Sequence, residues 1–127
     1  MAHDEILTQN APSPVGPYSQ AVKVGNTVYC SGQIGIDSQT GEFKNASIDE
    51  ETTQVMKNIQ SVLQAAGADF KNIVKTDIFI ADMADYAKVN ELYGSYFTEK
   101  PLPARTTVAV KELPKQARIE ISCIAVI

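Results

Sequence analysis

The segment PARTTVAVKELPKQARIEISCIAVI carries an arginine, Arg105, and a carboxylate, Glu120, each inside an alternating apolar pattern. A guanidinium presents a planar fork of donors that matches a carboxylate ligand. A carboxylate flanked by Ile119 and Ile121 is costly to bury in its charged form, and burial raises its pKa toward the range useful for moving protons. Period-two alternation puts Arg105, Thr107 and Ala109 on one face of a strand and Thr106, Val108 and Val110 on the other. The same rule gives Ile119, Ile121, Cys123 and Ala125 as an apolar row, beside a mixed row that includes Arg118, Glu120 and Ser122. A hairpin through the Pro114 connection would set Arg105 opposite Glu120. Pattern alone leaves two outcomes open: a structural ion pair, or an anion receptor beside a general acid/base.

Other residues have both a chemical and a structural reading. Ser31 and Gly32 end the strand pattern TVYCSGQI, where glycine either lets a ligand approach the backbone or marks a bulge. Tyr18 either covers a pocket or packs. Asn90 lies beside a helical apolar stripe, where it orients a pocket carboxylate or faces solvent. Cys30 and Cys123 are the two cysteines, both in apolar strand contexts, and read as buried free thiols. His3 is the only histidine and stands near the N-terminus, so metal-ligand sets and Ser-His-Asp chemistry find no support. No phosphate-loop or dinucleotide pattern is present, and no cofactor is expected.

The elements that must position these groups read in order as strand, strand, helix, strand, helix, strand, strand. APSPVGPYSQAV is an irregular arm leading into a strand over Ser19 to Val24, and Gly25-Asn26 turns it into TVYCSGQI. Ser47, with Glu50 three residues on, predicts a capping box; Val55, Met56, Ile59, Val62, Leu63 and Ala66 then supply one apolar helix face, stopped by Gly67. The acidic run Asp49-Glu50-Glu51 reads as favourable charge at that helix N-terminus. IVKTDIFI is a strand with one mixed face, open to solvent or to a neighbouring subunit. Asp82 and Asp85 start a second helix with the stripe Val89, Leu92, Tyr93, Tyr96 and Phe97, ended by Pro101 and Pro103. This order gives a two-layer α+β domain over residues 1–127, with a mixed sheet covered by two helices on one face.

Composition narrows the function. At 127 residues with 44% hydrophobic and 20% charged residues, the chain supports one core and has apolar surface to spare for association. A net charge of −4 opposes an extended nucleic-acid surface. The absence of a long apolar run or a secretory pattern predicts a cytoplasmic protein without a membrane span.

GPYSQAV, SGQI, AAGADFKNIVKTDIF, VNELY and PARTTVAVKELPKQARIEISCIAV together resemble the RidA family, also called the YjgF family, over nearly the whole chain. The resemblance implies a chorismate-mutase-like fold and a homotrimer with clefts between subunits. It also implies cofactor-independent hydrolysis of the enamine/imine products of pyridoxal-phosphate-dependent dehydratases: 2-iminobutanoate/2-iminopropanoate deamination, yielding 2-keto acids and ammonia. On these motifs Arg105 matches the arginine that clamps the substrate carboxylate and Glu120 the acid that manages water and protons. Tyr18, Ser31, Gly32 and Asn90 match pocket positions. Thr107 stands where the family commonly has cysteine. The alternatives are a metabolite-binding regulator without turnover and an endoribonuclease or translation inhibitor.

Overall fold

The computed structural model describes residues 2–127. Its strands are β1 (Asp4–Ile6), β2 (Ala21–Val24), β3 (Thr27–Gln33), β4 (Ile73–Ile80), β5 (Ala104–Ala109) and β6 (Ile119–Val126), and its helices are α1 (Ile48–Ala65) and α2 (Tyr86–Gly94). They form one mixed sheet in the order β1-β2-β3-β6-β4-β5, with β4 and β5 parallel and the other neighbours antiparallel. The two-layer α+β expectation holds. Among the described residues no helix is long and apolar enough to cross a membrane.

The alternating pattern sets which face the helices cover. Ile119, Ile121, Cys123 and Ala125 are buried on β6, as are Val28 and Cys30 on β3 and Ile78 and Ile80 on β4. Against them pack Val55, Met56, Ile59, Val62 and Leu63 from α1 and Val89 and Tyr93 from α2. Fully burying one such side chain contributes about 1.5–3 kcal/mol. Cys30 and Cys123 are cross-strand partners in this core and are free thiols. On the opposite face Tyr29, Val108 and Val126 are exposed, and Lys75 pairs with Asp77. That face is the mixed one the sequence anticipates.

Local chemistry explains most boundaries. The Ser47 hydroxyl accepts a hydrogen bond from the Glu50 amide at 3.0 Å, capping α1. The reciprocal capping box forms instead at Asp69, whose carboxylate takes the Phe70 amide while Asn72 accepts from the Asp69 amide. Gly67 follows α1 with φ +83°, a backbone conformation that glycine tolerates best. Asp82 caps the short helical turn Met83–Asp85 that leads into α2. The second helix already ends at Gly94, well before the prolines. β1 is an element that alternation does not reveal, because three residues are too few to show a period.

One expectation requires correction. β5 and β6 are not a hairpin: β4 lies between them, and the connection turns through Pro114–Gln116 with Lys115 and Gln116 at positive φ. The acidic run sits in the first turn of α1, as expected, and its members differ in burial. Asp49 and Glu50 are exposed, but Glu51 is buried.

Candidate active site

Arg105 belongs to the helix-covered face. Its row across the sheet runs through Thr76 on β4 to Cys123 on β6, and the Thr76 hydroxyl meets the Tyr93 hydroxyl of α2 at 2.8 Å. The guanidinium donates to Asn90 Oδ1 at 2.8 Å and to the Tyr86 hydroxyl at 3.1 Å. It lies 5.2 Å from the Tyr93 ring centroid and 5.9 Å from that of Tyr86, within cation–π range. Tyr86, Asn90 and Tyr93 recur at four- and three-residue spacing on α2, so one helix face supplies the whole cradle. A cavity of about 380 Å³ opens here, lined by Asn90, Tyr93, Phe97, Leu102 and Arg105 among others. Asn90 therefore orients the arginine within the chain, and among the described residues no carboxylate pairs with it.

Glu120 belongs to the other face. It alternates with buried Ile119 and Ile121 and shares a row with Phe79 of β4 and Val108 of β5. The opposition of Arg105 and Glu120 is thus not realised within one chain: two strand positions and the thickness of the sheet separate them. Among the described residues the ion pairs join Lys44 to Glu42, Lys75 to Asp77 and Arg118 to Asp85.

Glu120 is half-buried, and burial alone lifts its carboxyl above the usual glutamate range. Gly32 accounts for how closely the chain passes: a Cβ there would sit 2.8 Å from the Glu120 carboxyl carbon. Any larger residue would push the carboxylate aside. Gly32 stands in the interval where the β3–β6 register shifts, between Cys30 and Gln33, so the irregularity anticipated for Ser31-Gly32 is present, and the group that approaches its backbone is the Glu120 side chain. Glu120 contributes to a cavity of about 240 Å³ whose lining includes Tyr18, Gly32, Ile34 and Ile36, with Gln33 and Lys115 as polar members. A carboxylate whose proton affinity is raised by burial in a mostly apolar cavity is suited to accepting and returning a proton.

The remaining candidates divide between the two places. Tyr18 and Gly32 line the Glu120 cavity. The Tyr18 ring is 49% exposed and stands at the mouth, and its hydroxyl accepts a long hydrogen bond from the Val15 amide at 3.4 Å. Ser31 uses its hydroxyl to donate to the Ser19 carbonyl at 2.6 Å, fixing the arm residue next to Tyr18. Asn90 sits with Arg105. Thr107 is on the Arg105 face of β5, and its hydroxyl oxygen is buried without a hydrogen-bond partner among the described residues. Sequence reasoning missed Tyr86, Tyr93 and the arm residue Gln20. Gln20 is buried and accepts from the Thr8 amide while donating to the carbonyls of Thr8 and Pro12. The spacing of the α2 tyrosines signals the first two; the contacts of Gln20 leave no periodic trace.

Comparison with known proteins bears on this arrangement. A family described as Endoribonuclease L-PSP matches residues 8–127. The chain is 48% identical over 121 residues to the mouse protein named 2-iminobutanoate/2-iminopropanoate deaminase, covering 95% of this chain and 89% of the relative. Among solved structures, a Rid-family protein of Yersinia pestis superposes with a TM-score of 0.95 at 46% identity, over 99% of this chain and 100% of that one. The structure of TdcF from E. coli with bound serine gives a TM-score of 0.92 at 39% identity, over 98% of both chains.

Proposed function

Because this chain belongs to the RidA family, also called the YjgF family, we propose that it hydrolyses 2-iminobutanoate and 2-iminopropanoate to 2-keto acids and ammonia. The observation that carries the reading is Glu120: a half-buried carboxylate of raised pKa, pressed against Gly32 at the wall of an apolar cavity. A relative at 48% identity is named for this reaction, and another is seen with bound serine, an amino acid of similar size that carries the same carboxylate.

Arg105 and Glu120 lie on opposite faces of one sheet, so a shared substrate requires two copies of the chain. One copy supplies the arginine and its α2 cradle, the other the Glu120 cavity with Tyr18 and Gly32. The exposed Tyr29, Val108 and Val126 on the open sheet face favour such association, with a homotrimer as the proposed assembly.

In this site Arg105 holds the substrate carboxylate through charge-assisted hydrogen bonds. The enamine first tautomerises to the imine. Water, held by Glu120, bonds through its oxygen to the imine carbon as the C=N π pair moves to nitrogen. Glu120 takes the proton lost by water and passes it to that nitrogen, giving a neutral carbinolamine. Glu120 then takes the hydroxyl proton and delivers it to the amine, so the C=O forms as the C–N bond breaks, ammonia leaves and the carboxylate is regenerated. The substrates are those that pyridoxal-phosphate-dependent dehydratases make from serine and threonine.

The test is to generate 2-aminoacrylate or 2-aminocrotonate with such a dehydratase in an amine-free buffer and follow 2-keto-acid formation. Acceleration over the spontaneous reaction is expected, and its absence overturns the reading. Two other readings have a specific observation behind them. The serine-bound relative suggests binding without turnover, which would appear as tight ligand binding and no product. The family description suggests RNA cleavage, which would appear as cleavage lost in Arg105 or Glu120 variants; the net charge of −4 weighs against it.

A further inference from the structure

Glu51 lies in the first turns of α1, where a carboxylate normally faces water, yet it is 0% exposed. Its Oε2 accepts hydrogen bonds from the backbone N–H of Arg118 at 2.7 Å and of Ile119 at 3.3 Å. Its Oε1 is buried with no partner among the described residues. Gly35 makes the room: a Cβ there would stand 2.9 Å from Glu51 Cγ. Burial pushes the carboxyl upward, opposed by the two amide hydrogen bonds and the Arg118 charge, while Asp85 adds to the rise.

The two amides are the residues immediately before Glu120. Near this end of β6 the ladder to β3 is irregular, its register shifting between Cys30 and Gln33. On the β4 side the Ala81 amide donates to the Arg118 carbonyl at 3.0 Å, and the Arg118 guanidinium is forked onto Asp85 at 2.6 and 3.1 Å. Glu51 completes the hold from the helix layer. Seven residues along α1, and so on the same helix face, Asn58 donates to the carbonyls of Ile34 at 3.0 Å and Ile36 at 2.9 Å. Ile34 and Ile36 line the Glu120 cavity. Two buried polar residues of one helix therefore fix the cavity wall and the strand end that carries Glu120.

We propose that Glu51 is a positioning residue for Glu120, its Oε2 setting the backbone of Arg118 and Ile119 so that the Glu120 carboxylate meets water at the reacting carbon. This rests on the reading of Glu120 as the proton acceptor. An apolar side chain of equal size would fill the space but leave two amide groups beside the cavity without an acceptor. Such a residue would serve a merely packed core; it would not hold β6 at this point. Misplacement of a reacting group by about 1 Å costs on the order of 100-fold in rate.

The test measures kcat and apparent KM for 2-keto-acid formation from dehydratase-generated imine in the wild type, Glu51→Ala, Glu51→Gln, Gly35→Ala and Glu120→Gln. Glu51→Ala is expected to lower kcat about 10- to 100-fold with KM within about twofold of wild type. Glu51→Gln, whose amide oxygen still accepts from both N–H groups, is expected to stay within about threefold of wild type. An unchanged kcat in Glu51→Ala, a change confined to KM, or an equal loss in Glu51→Gln overturns the positioning role. Should Glu51→Ala fail to fold, Gly35→Ala carries the test, because it displaces the Glu51 side chain without removing it: lowered kcat at unchanged KM supports the role and unchanged kcat overturns it. Full activity in Glu120→Gln overturns the reading beneath the inference. An inactive Glu120→Gln beside a fully active Glu51→Ala overturns the inference alone.

Discussion

The Glu120 and Arg105 regions are built to different tolerances. Glu120 is on β6, which is paired on both sides, by β3 and β4. Its cavity walls are held by buried polar side chains: Gln20 on the arm, Asn58 on the Ile34–Ile36 segment and Glu51 on the start of β6. Arg105 is on β5, the edge strand, paired only with β4, and is aimed by Asn90 and two tyrosine rings. Proton transfer needs a donor and acceptor at hydrogen-bond distance, whereas attraction between charges declines only as the inverse of distance. On the proposed roles, rigidity is concentrated where the chemistry is short-ranged, and a reaching side chain serves where charge must be captured from solvent.

This contrast predicts that the two variants fail in different parameters. Glu120→Gln keeps the shape but cannot accept a proton, so kcat for keto-acid release is expected to fall about 10²- to 10⁴-fold with little change in KM. Arg105→Ala removes hydrogen bonds to a charged group, each worth about 1.5–3 kcal/mol, so KM is expected to rise about 10- to 100-fold with a smaller change in kcat. Arg105→Lys should recover only part of this, since an ammonium lacks the planar fork. If Glu120→Gln instead raised KM, or Arg105→Ala lowered kcat alone, the division of labour would be wrong. A smaller effect is expected at Asn90. Asn90→Ala frees the guanidinium from one of its two orienting hydrogen bonds, and KM should rise about three- to tenfold, on the scale of one neutral partner's net contribution. A KM matching that of Arg105→Ala would make Asn90 a direct ligand of the substrate, not an aid to the arginine.

The same contrast explains what was legible in the sequence. Alternation in ARIEISCIAVI sorted Ile119, Ile121 and Cys123 from Glu120 correctly, because a strand half-covered by helices must alternate. The α1 cap and stripe were legible for the same local reason. Strand order was not: the insertion of β4 between β5 and β6 is a non-local pairing that no turn signal encodes. A connection with Pro114 reads equally well as a hairpin turn. This one fact reversed the relation of Arg105 to Glu120 from facing partners to opposite faces. The burial of Glu51 was not legible because charge at a helix N-terminus is ordinarily solvated, and the amides that donate to it lie 67 and 68 residues away in sequence. Motif resemblance supplied the candidate residues; it did not supply the groups that hold them.

The smallest expected effect separates the two regions without catalysis. Burial raises the folded-state pKa of Glu120 above its ordinary value of 4.5, so the folded protein binds that proton more tightly than the unfolded chain. Stability from this group is fully present below pH 4.5 and declines as pH rises through the folded-state value, because there the unfolded chain has fewer protons bound than the folded one. Glu120→Gln removes the charge that burial opposes. Its melting temperature is therefore expected to exceed the wild type's by about 1–4 °C at neutral pH, with the gap closing as pH falls below 4.5. Glu51 also has a raised pKa and shapes the pH dependence of both proteins, so the difference between them isolates Glu120. Arg105→Ala is the matched control. An arginine keeps its charge throughout this range, so the gap between that variant and wild type should stay constant from about pH 3 to 8. A constant gap for Glu120→Gln as well would mean that burial does not oppose its charge, and the contrast between a site that holds a proton and a site that keeps its charge would fail.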